Sequence, residues 1–499
     1  MARFNYRLVA RLLGMLLIIM ACSMVVPVLV SLFYADGSQF GLMLSALLML
    51  IMGLFLRNFV GIKSSYELRV KESFWITAII WIVVPLAGAL PYLFTSVTSS
   101  FTDAAFESFS GFTTTGSSVL ADVDHTPYGL LVWRSTSQWV GGMGLILFVV
   151  AILHRLNEGS ARLYEAEFSG SLQRRLHPRM AKNVVLMWAV YMGLTVAMIL
   201  LLLAGGNTFV DSLCLAMSTV STGGFMTHTD GLASLSAYST VIVTVFMFLA
   251  GINLALLFYF FTGRWRQMRG EEELKRYIVM YFAAVAVCAI SFVVGHVRAG
   301  HPLGAGDVGD FISFSFFHVA STVSTCGFYT TTPPFWPMMV SVVTFLLMCV
   351  GASAGSTGGG LKIKRIMILG RHVRNYLVRM VHPRAVLSVK IGRGNNMRVV
   401  DEEYVNRIIA FIFLYFLFIV IGAFVLTLCG LDIPNALCMA AANISNLGPS
   451  PVINNWGASL DYIQLQAVGK WTVMVLMLAG RLEIFALVAM VLPAYWRRL

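Results

Sequence analysis

The sequence predicts an all-α integral membrane protein of about ten transmembrane helices, with four short re-entrant helices in a fourfold repeat of helix, loop and helix. Three observations predict it. Of 499 residues, 58% are hydrophobic and 12% charged, against about 25% charged in soluble domains. Apolar runs long enough to cross a hydrocarbon core of about 30 Å recur along the whole chain. Between them, four small polar clusters containing glycine return at similar spacing.

The apolar runs fall near 10–33, 40–56, 73–95, 130–153, 183–204, 236–262, 277–297, 336–360, 408–429 and 466–496. Arg3, Arg7 and Arg11 precede the first, and no small-residue cleavage site follows it. It reads as a retained anchor. With the N-terminus inside, 31 of the 35 Lys and Arg fall in the inner segments 1–11, 57–72, 154–182, 263–276, 361–407 and 497–498. Arg298 falls outside, and Arg134, Lys470 and Arg481 lie within spans. This is the positive-inside pattern. It assigns the net charge of +12 to the cytoplasmic face and its anionic lipids, not to nucleic acid.

The outer side carries Asp36, Asp103, Glu107, Asp122, Asp124, Asp211, Asp230, Asp307, Asp310, Asp432 and Asp461. Such a face attracts cations. The seven cysteines form no Cys-x-x-Cys pair and the nine histidines no metal-spacing cluster. A disulfide framework, a zinc site and a cofactor are therefore not expected.

The polar clusters read SGFTTTGSS (110–118), STVSTGGFM (218–226), STVSTCGFY (321–329) and NISNLGPSP (443–451). Their key glycines read as Gly116, Gly223, Gly327 and Gly448, separated by 107, 104 and 121 residues. Downstream, VGG (140–142), LAG (249–251), CVG (349–351) and LAG (478–480) repeat as well. Such periodicity marks a repeated structural unit. The units run 67–160, 161–268, 269–385 and 386–499, after an N-terminal helix pair in 1–66.

Before each cluster lies a segment of about ten residues, 103–112, 211–220, 313–323 or 434–444, too short to cross a bilayer as a helix. These are expected to be re-entrant pore helices, with Asp103 and Asp211 at N-cap positions. Non-helical backbone at membrane depth survives only inside protein or along a water-filled cavity. Four such loops around one axis define a pore.

To pass a dehydrated cation, a pore must replace its water shell with fixed oxygens. Glycine lets successive peptides turn inward, and Thr and Ser add hydroxyl oxygens. The candidate ion-binding residues are Thr114, Thr115 and Gly116; Ser221, Thr222 and Gly223; Thr325, Cys326 and Gly327; and Asn446, Leu447 and Gly448. Cys326 lacks a hydroxyl, and the fourth loop, Asn446-Leu447-Gly448-Pro449, is expected to differ in geometry. Each re-entrant helix aims a partially negative C-terminus at the ion.

With these loops, GASAGSTGGGLK (351–362), NISNLGP and AGRLEI (479–484), the chain resembles, over essentially its full length, the Trk/Ktr/HKT superfamily of K+ transporters. It is most similar to the bacterial Trk-type membrane subunit. The resemblance implies a single-chain pseudo-tetrameric K+ pore in the cytoplasmic membrane, assembled as a homodimer on a cytosolic nucleotide-binding ring. Each loop is shorter than a K+ channel's filter, which implies fewer ion sites and weaker exclusion of Rb+ or Na+.

Five glycines fall within 351–360, each costing about 1 kcal/mol relative to Ala in a helix. The helix is expected to break there into a gate loop formed by Gly355, Ser356, Thr357, Gly358, Gly359 and Gly360. No Gly-Lys-Ser/Thr follows, which excludes a phosphate loop. Arg481, charged within a span, is expected to bond that loop's carbonyls and raise a barrier to cations. The segment 361–407, with eleven Lys and Arg beginning at Lys362, Lys364 and Arg365, is expected to dock a cytosolic regulatory partner. Two other functions compete with K+ uptake through this pore: Na+- or H+-coupled symport, and a membrane enzyme, for which His318 is the one histidine worth testing.

Overall fold

A computed structural model describes residues 6–58, 70–98, 100–144, 180–265, 268, 270–330, 336–385, 387–392, 397–449 and 462–491. The basic segment 154–182, nearly all of 59–69, the acidic Asp461 and the arginines at 497–498 lie wholly or almost wholly outside the described residues.

Helices α1 (Tyr6–Ser23) and α2 (Val25–Tyr34) cross together and α3 (Gln39–Asn58) returns. They meet at Gly14 and Gly53, where a side chain on either would strike the other helix's backbone. Without a hydrophobic force between helices in lipid, such close approach supplies the dispersion contacts.

Thereafter one order of elements repeats four times. A long helix leads, then a short buried one, a loop and a second crossing helix. The long helices are α4 (Val70–Gly88, continued by α5, Leu90–Phe94), α8 (Met180–Ala204), α12 (Glu272–Arg298) and α16 (Glu402–Leu428). The short ones are α6 (Phe101–Phe112), α9 (Phe209–Val220), α13 (Ala305–Val323) and α17 (Ile433–Ile444). The second crossings are α7 (Tyr128–Gly142), α10 (Ala237–Ala250) with α11 (Leu254–Phe261), α14 (Met338–Val350), and α18 (Ala467–Arg481) with α19 (Phe485–Val491). After α14 come an amphipathic helix, α15 (Ile363–Val381), and an antiparallel hairpin of two-residue strands pairing Lys390 with Val399.

Polarity is arranged for lipid. On α16, Phe413, Val420 and Phe424 are exposed while Tyr415 and Ile419 are buried. The short helices instead bury polar side chains such as Ser108, Ser110, Ser218, Thr219 and Asn443.

Among the described residues, six helices are long and apolar enough to cross a membrane, or seven if the α10–α11 pair, bent by 110°, is one span. Ten were expected, and the shortfall has a physical cause. The second crossings α10, α14 and α18 break at the repeated LAG, CVG and LAG motifs, so the expected spans 236–262, 336–360 and 466–496 are interrupted at 251–253, 351–362 and 482–484, while the expected span 130–153 passes outside the described residues after Gly144. The glycine-rich run is therefore one of several breaks in the described spans. The third short helix is also longer than expected, 19 residues instead of about ten. The N-caps differ too. Ser100 and Thr208 occupy those positions, and Asp103 and Asp211 sit in the first turn.

Candidate functional site

All four short helices end in the same way. The C-cap residues Thr113, Ser221, Ser324 and Ser445 are still right-handed. The next residues, Thr114, Thr222, Thr325 and Asn446, are left-handed, with φ of 54°, 56°, 59° and 54°. The residue after that returns its N–H to the helix, Thr115 to Ser110 O, Gly223 to Ser218 O, Cys326 to Ser321 O and Leu447 to Ala442 O, at 2.7–2.9 Å. This is a Schellman ending, which normally takes glycine at the left-handed position. A β-branched Thr there costs of order 1–3 kcal/mol, a strain characteristic of functional sites.

One residue further, Gly116, Gly224, Gly327 and Gly448 have φ of 83°, 80°, 80° and 78°. The glycine register in the second loop is thus Gly224, not Gly223. STVSTGG aligns with STVSTCG so that Gly223 matches Cys326. The fourth loop, expected to be distinct, follows the same backbone path as the others.

The loops touch in cyclic order. A side chain on Gly116 would overlap the carbonyl oxygen of Gly223, one on Gly224 that of Cys326, one on Gly327 that of Leu447 and one on Gly448 that of Thr115. First to second, second to third, third to fourth and fourth to first, the four loops close a ring. No Cβ fits at any of the four glycines.

A buried pair braces the ring from behind. Arg134 and Glu107 meet at 2.6 Å with side chains 2% and 0% exposed. The Arg134 guanidinium also donates to Met226 O at 3.2 Å and lies over the Phe225 ring, while Glu107 accepts from Ser118 Oγ and from Val119 N. Glu107, counted by sequence among the outer acids, is therefore an internal group. Asp103 pairs with Lys470 at 2.7 Å. Elsewhere, His228 stands 3.0 Å from Asp124 and 3.4 Å from Asp211. Hydrogen bonds from the Thr229 hydroxyl and from His228 hold the Asp124 carboxyl below its usual range.

Under the ring lies the glycine-rich segment. The chain leaves α14 at Val350 and comes back at Leu361 and Lys362, whose N–H groups bond Cys349 O and Val350 O at 3.0 and 2.8 Å. Its ends therefore meet, making residues 351–360 a closed excursion. The tip docks on three of the ring-bearing helices. Thr357 Oγ1 donates to Val220 O at 3.1 Å, Gly359 N to Thr325 Oγ1 at 2.7 Å, and Gly359 itself packs on Ser445 O so that no Cβ fits. Arg481 donates to Thr357 O at 3.1 Å and to Gly141 O and Gly142 O at 2.5 and 2.9 Å, joining the loop to the first unit. Within the same loop Ala354 is held between Asn253 and Glu273.

A family model described as TrkH, cation transport protein, matches residues 46–497. The chain belongs to the TrkH family. It is 33% identical to the Trk system potassium uptake protein TrkH of Escherichia coli K12, with 99% of this chain and 100% of that protein covered. A paralogue from the same organism, the Trk system potassium uptake protein TrkG, is 30% identical over 99% of each chain. The crystal structure of the potassium transporter TrkH from Vibrio parahaemolyticus superposes with a TM-score of 0.84 at 31% identity, covering 99% of this chain and all of that one.

In this TrkH-family chain, Thr114, Thr115, Ser221, Thr222, Thr325, Cys326, Asn446 and Leu447 all lie at the ring, as do Gly116, Gly327 and Gly448. Arg481 donates to Thr357 O of the glycine-rich loop. The basic segment is corrected in part. Lys362 donates to Gly358 O, and Arg365 is buried against Glu483 at 2.6 Å, so neither projects from the surface to meet a partner. His318 bonds Thr344 Oγ1 at 2.7 Å and stacks on Phe314, away from the ring. Gly224, which the offset between STVSTGG and STVSTCG discloses, and the polar run 135–138 that follows the in-span Arg134 were not among the expected site residues.

Proposed function

We propose that this chain takes up K+ across the bacterial inner membrane, with its N-terminus in the cytoplasm, through a four-loop filter. The ion-binding oxygens come from Thr114, Thr115, Ser221, Thr222, Thr325, Cys326, Asn446 and Leu447, shaped by the ring glycines Gly116, Gly224, Gly327 and Gly448. The four pore units correspond to 67–160, 161–268, 269–385 and 386–499, behind the N-terminal pair in 1–66.

One observation carries this reading, the cyclic closure of four identical helix endings. A closed ring of backbone oxygens is the arrangement that replaces a cation's hydration shell. The four helix C-termini converging on it add partial negative charge. The names of the relatives, potassium uptake proteins, supply the ion.

The gate is the loop from Gly355 to Gly360. It is held under the ring by Arg481, whose fixed positive charge opposes a passing cation. A homodimer carrying a cytosolic nucleotide-binding regulatory subunit completes the assembly. In mixed K+ and Na+, a reversal potential set by the K+ gradient supports the proposal, and one that follows Na+ equally refutes selectivity at this ring. A reversal potential that shifts with an imposed Na+ or H+ gradient at fixed K+ would instead favour coupled symport.

A further inference from the structure

The second loop differs from its three counterparts at one position. Where the first, third and fourth carry Thr115, Cys326 and Leu447, the second has Gly223, which has no side chain and no positive φ to require its absence. The space is filled from outside. Gln138 of α7, fully buried, occupies the volume that a Cβ on Gly223 would take. Its amide nitrogen donates to Gly223 O at 2.7 Å, and its amide oxygen accepts from Phe225 N at 3.2 Å and from Ser218 Oγ at 2.5 Å. Gly223 O is the oxygen against which Gly116 closes the ring. Two residues before each of the other repeated motifs stand Met247, Leu347 and Leu476, all buried and apolar.

We propose that Gln138 is a positioning residue for the ion ring, standing in for the side chain that Gly223 lacks and fixing the second loop's carbonyl by hydrogen bonds. The proposal rests on the filter reading above. A primary amide suits the task because it presents donors and an acceptor from one rigid plane. It meets a backbone carbonyl and a backbone N–H two residues apart, which an apolar side chain cannot do. In the third loop the corresponding position carries the buried Cys326 side chain, whose Sγ lies 3.6 Å from Thr219 O, and the residue of the preceding unit that corresponds to Gln138 is the apolar Met247.

The test uses the full-length protein in proteoliposomes, with the K+ over Na+ permeability ratio taken from reversal potentials and normalised to folded molecules. Gln138→Leu is expected to lower the ratio about fivefold, the loss of one net hydrogen bond on the ring. Gly223→Cys, which displaces the amide, should lower it similarly. The double variant Q138L/G223C places a side chain at 223 next to an apolar residue at 138, the combination of residue types found at Cys326 and Met247, and should return the ratio to within about twofold of the parent, since contacting residues couple non-additively. If Q138L does not fold, Gln138→Met, equal in length, takes its place. Gly116→Ala is measured alongside. If it lowers the ratio while the Gln138 variant does not, or if the double variant shows no recovery, the role of Gln138 is overturned and the filter stands. If neither Gly116→Ala nor the Gln138 variant moves the ratio, the filter reading falls and this inference with it.

Discussion

Replacing Gly224 by Ala, beside the same change at Gly223, tests the ring register at adjacent residues of identical composition. Gly224 has φ of 80°, where an L-residue costs about 1–2 kcal/mol. Its new Cβ would also overlap the carbonyl oxygen of Cys326. That oxygen is backbone inside a closed ring and cannot swing away, so overpacking adds about 1–3 kcal/mol. The total is about 2–5 kcal/mol, borne at the ring proposed to bind the ion. Gly223→Ala has no such dihedral cost, and its Cβ meets only the end of the Gln138 side chain. Displacing that amide costs one net hydrogen bond, about 1 kcal/mol. The K+ over Na+ ratio, read from reversal potentials in planar bilayers, should fall well beyond tenfold for Gly224→Ala and about fivefold for Gly223→Ala. Thermal unfolding in detergent should rank the two in the same order. A Gly223 variant as damaged as the Gly224 variant would refute the register and the ring contacts behind it.

Deleting Ser356–Gly359 removes the contacts of the loop tip with Val220 O and Thr325 Oγ1, and should raise K+ flux per folded molecule in proteoliposomes with little change in selectivity. Unchanged or lower flux would mean that the loop is not the gate. Arg481→Ala should also raise flux, because it releases Thr357 O and Gly141 O and removes a fixed positive charge. A variant conducting no faster than the parent counts against that role. Arg134→Met leaves Glu107 buried without its cation, which costs about 3–5 kcal/mol. Its melting temperature should drop by several degrees, whereas the double change R134M/E107Q should recover much of the loss. Lys364→Gln should weaken any salt-sensitive docking of a cytosolic partner more than it affects folding. Arg365→Ala should do the reverse, lowering the melting temperature by removing its buried ion pair with Glu483.

Composition, charge placement and repetition determined a good deal of this protein. Apolar runs flanked by Lys and Arg can be satisfied only by a multi-pass helical bundle, since lipid offers the backbone no hydrogen-bond partner. The polar clusters told where the helices must end, because Gly and a run of small hydroxyl residues cannot sustain a buried helix. The glycine-rich excursion and the intramembrane Arg481 were visible for the same reason. What the sequence left open were distances of a single residue and pairings across hundreds. Gly223 and Gly224 are chemically identical, and the left-handed φ at Gly224 and its contact with Cys326 O show which one closes the ring, a choice the sequence carried only in the offset between STVSTGG and STVSTCG. Glu107 reads as an outer acid until folding places Arg134 against it, and Gln138 reads as one polar residue in a span until its amide is found behind Gly223. Arg365 likewise belongs to a basic surface run until Glu483, more than a hundred positions away, takes it inside. Local preference acts within a few residues along the chain, whereas these choices were made by packing between units, which no local pattern encodes.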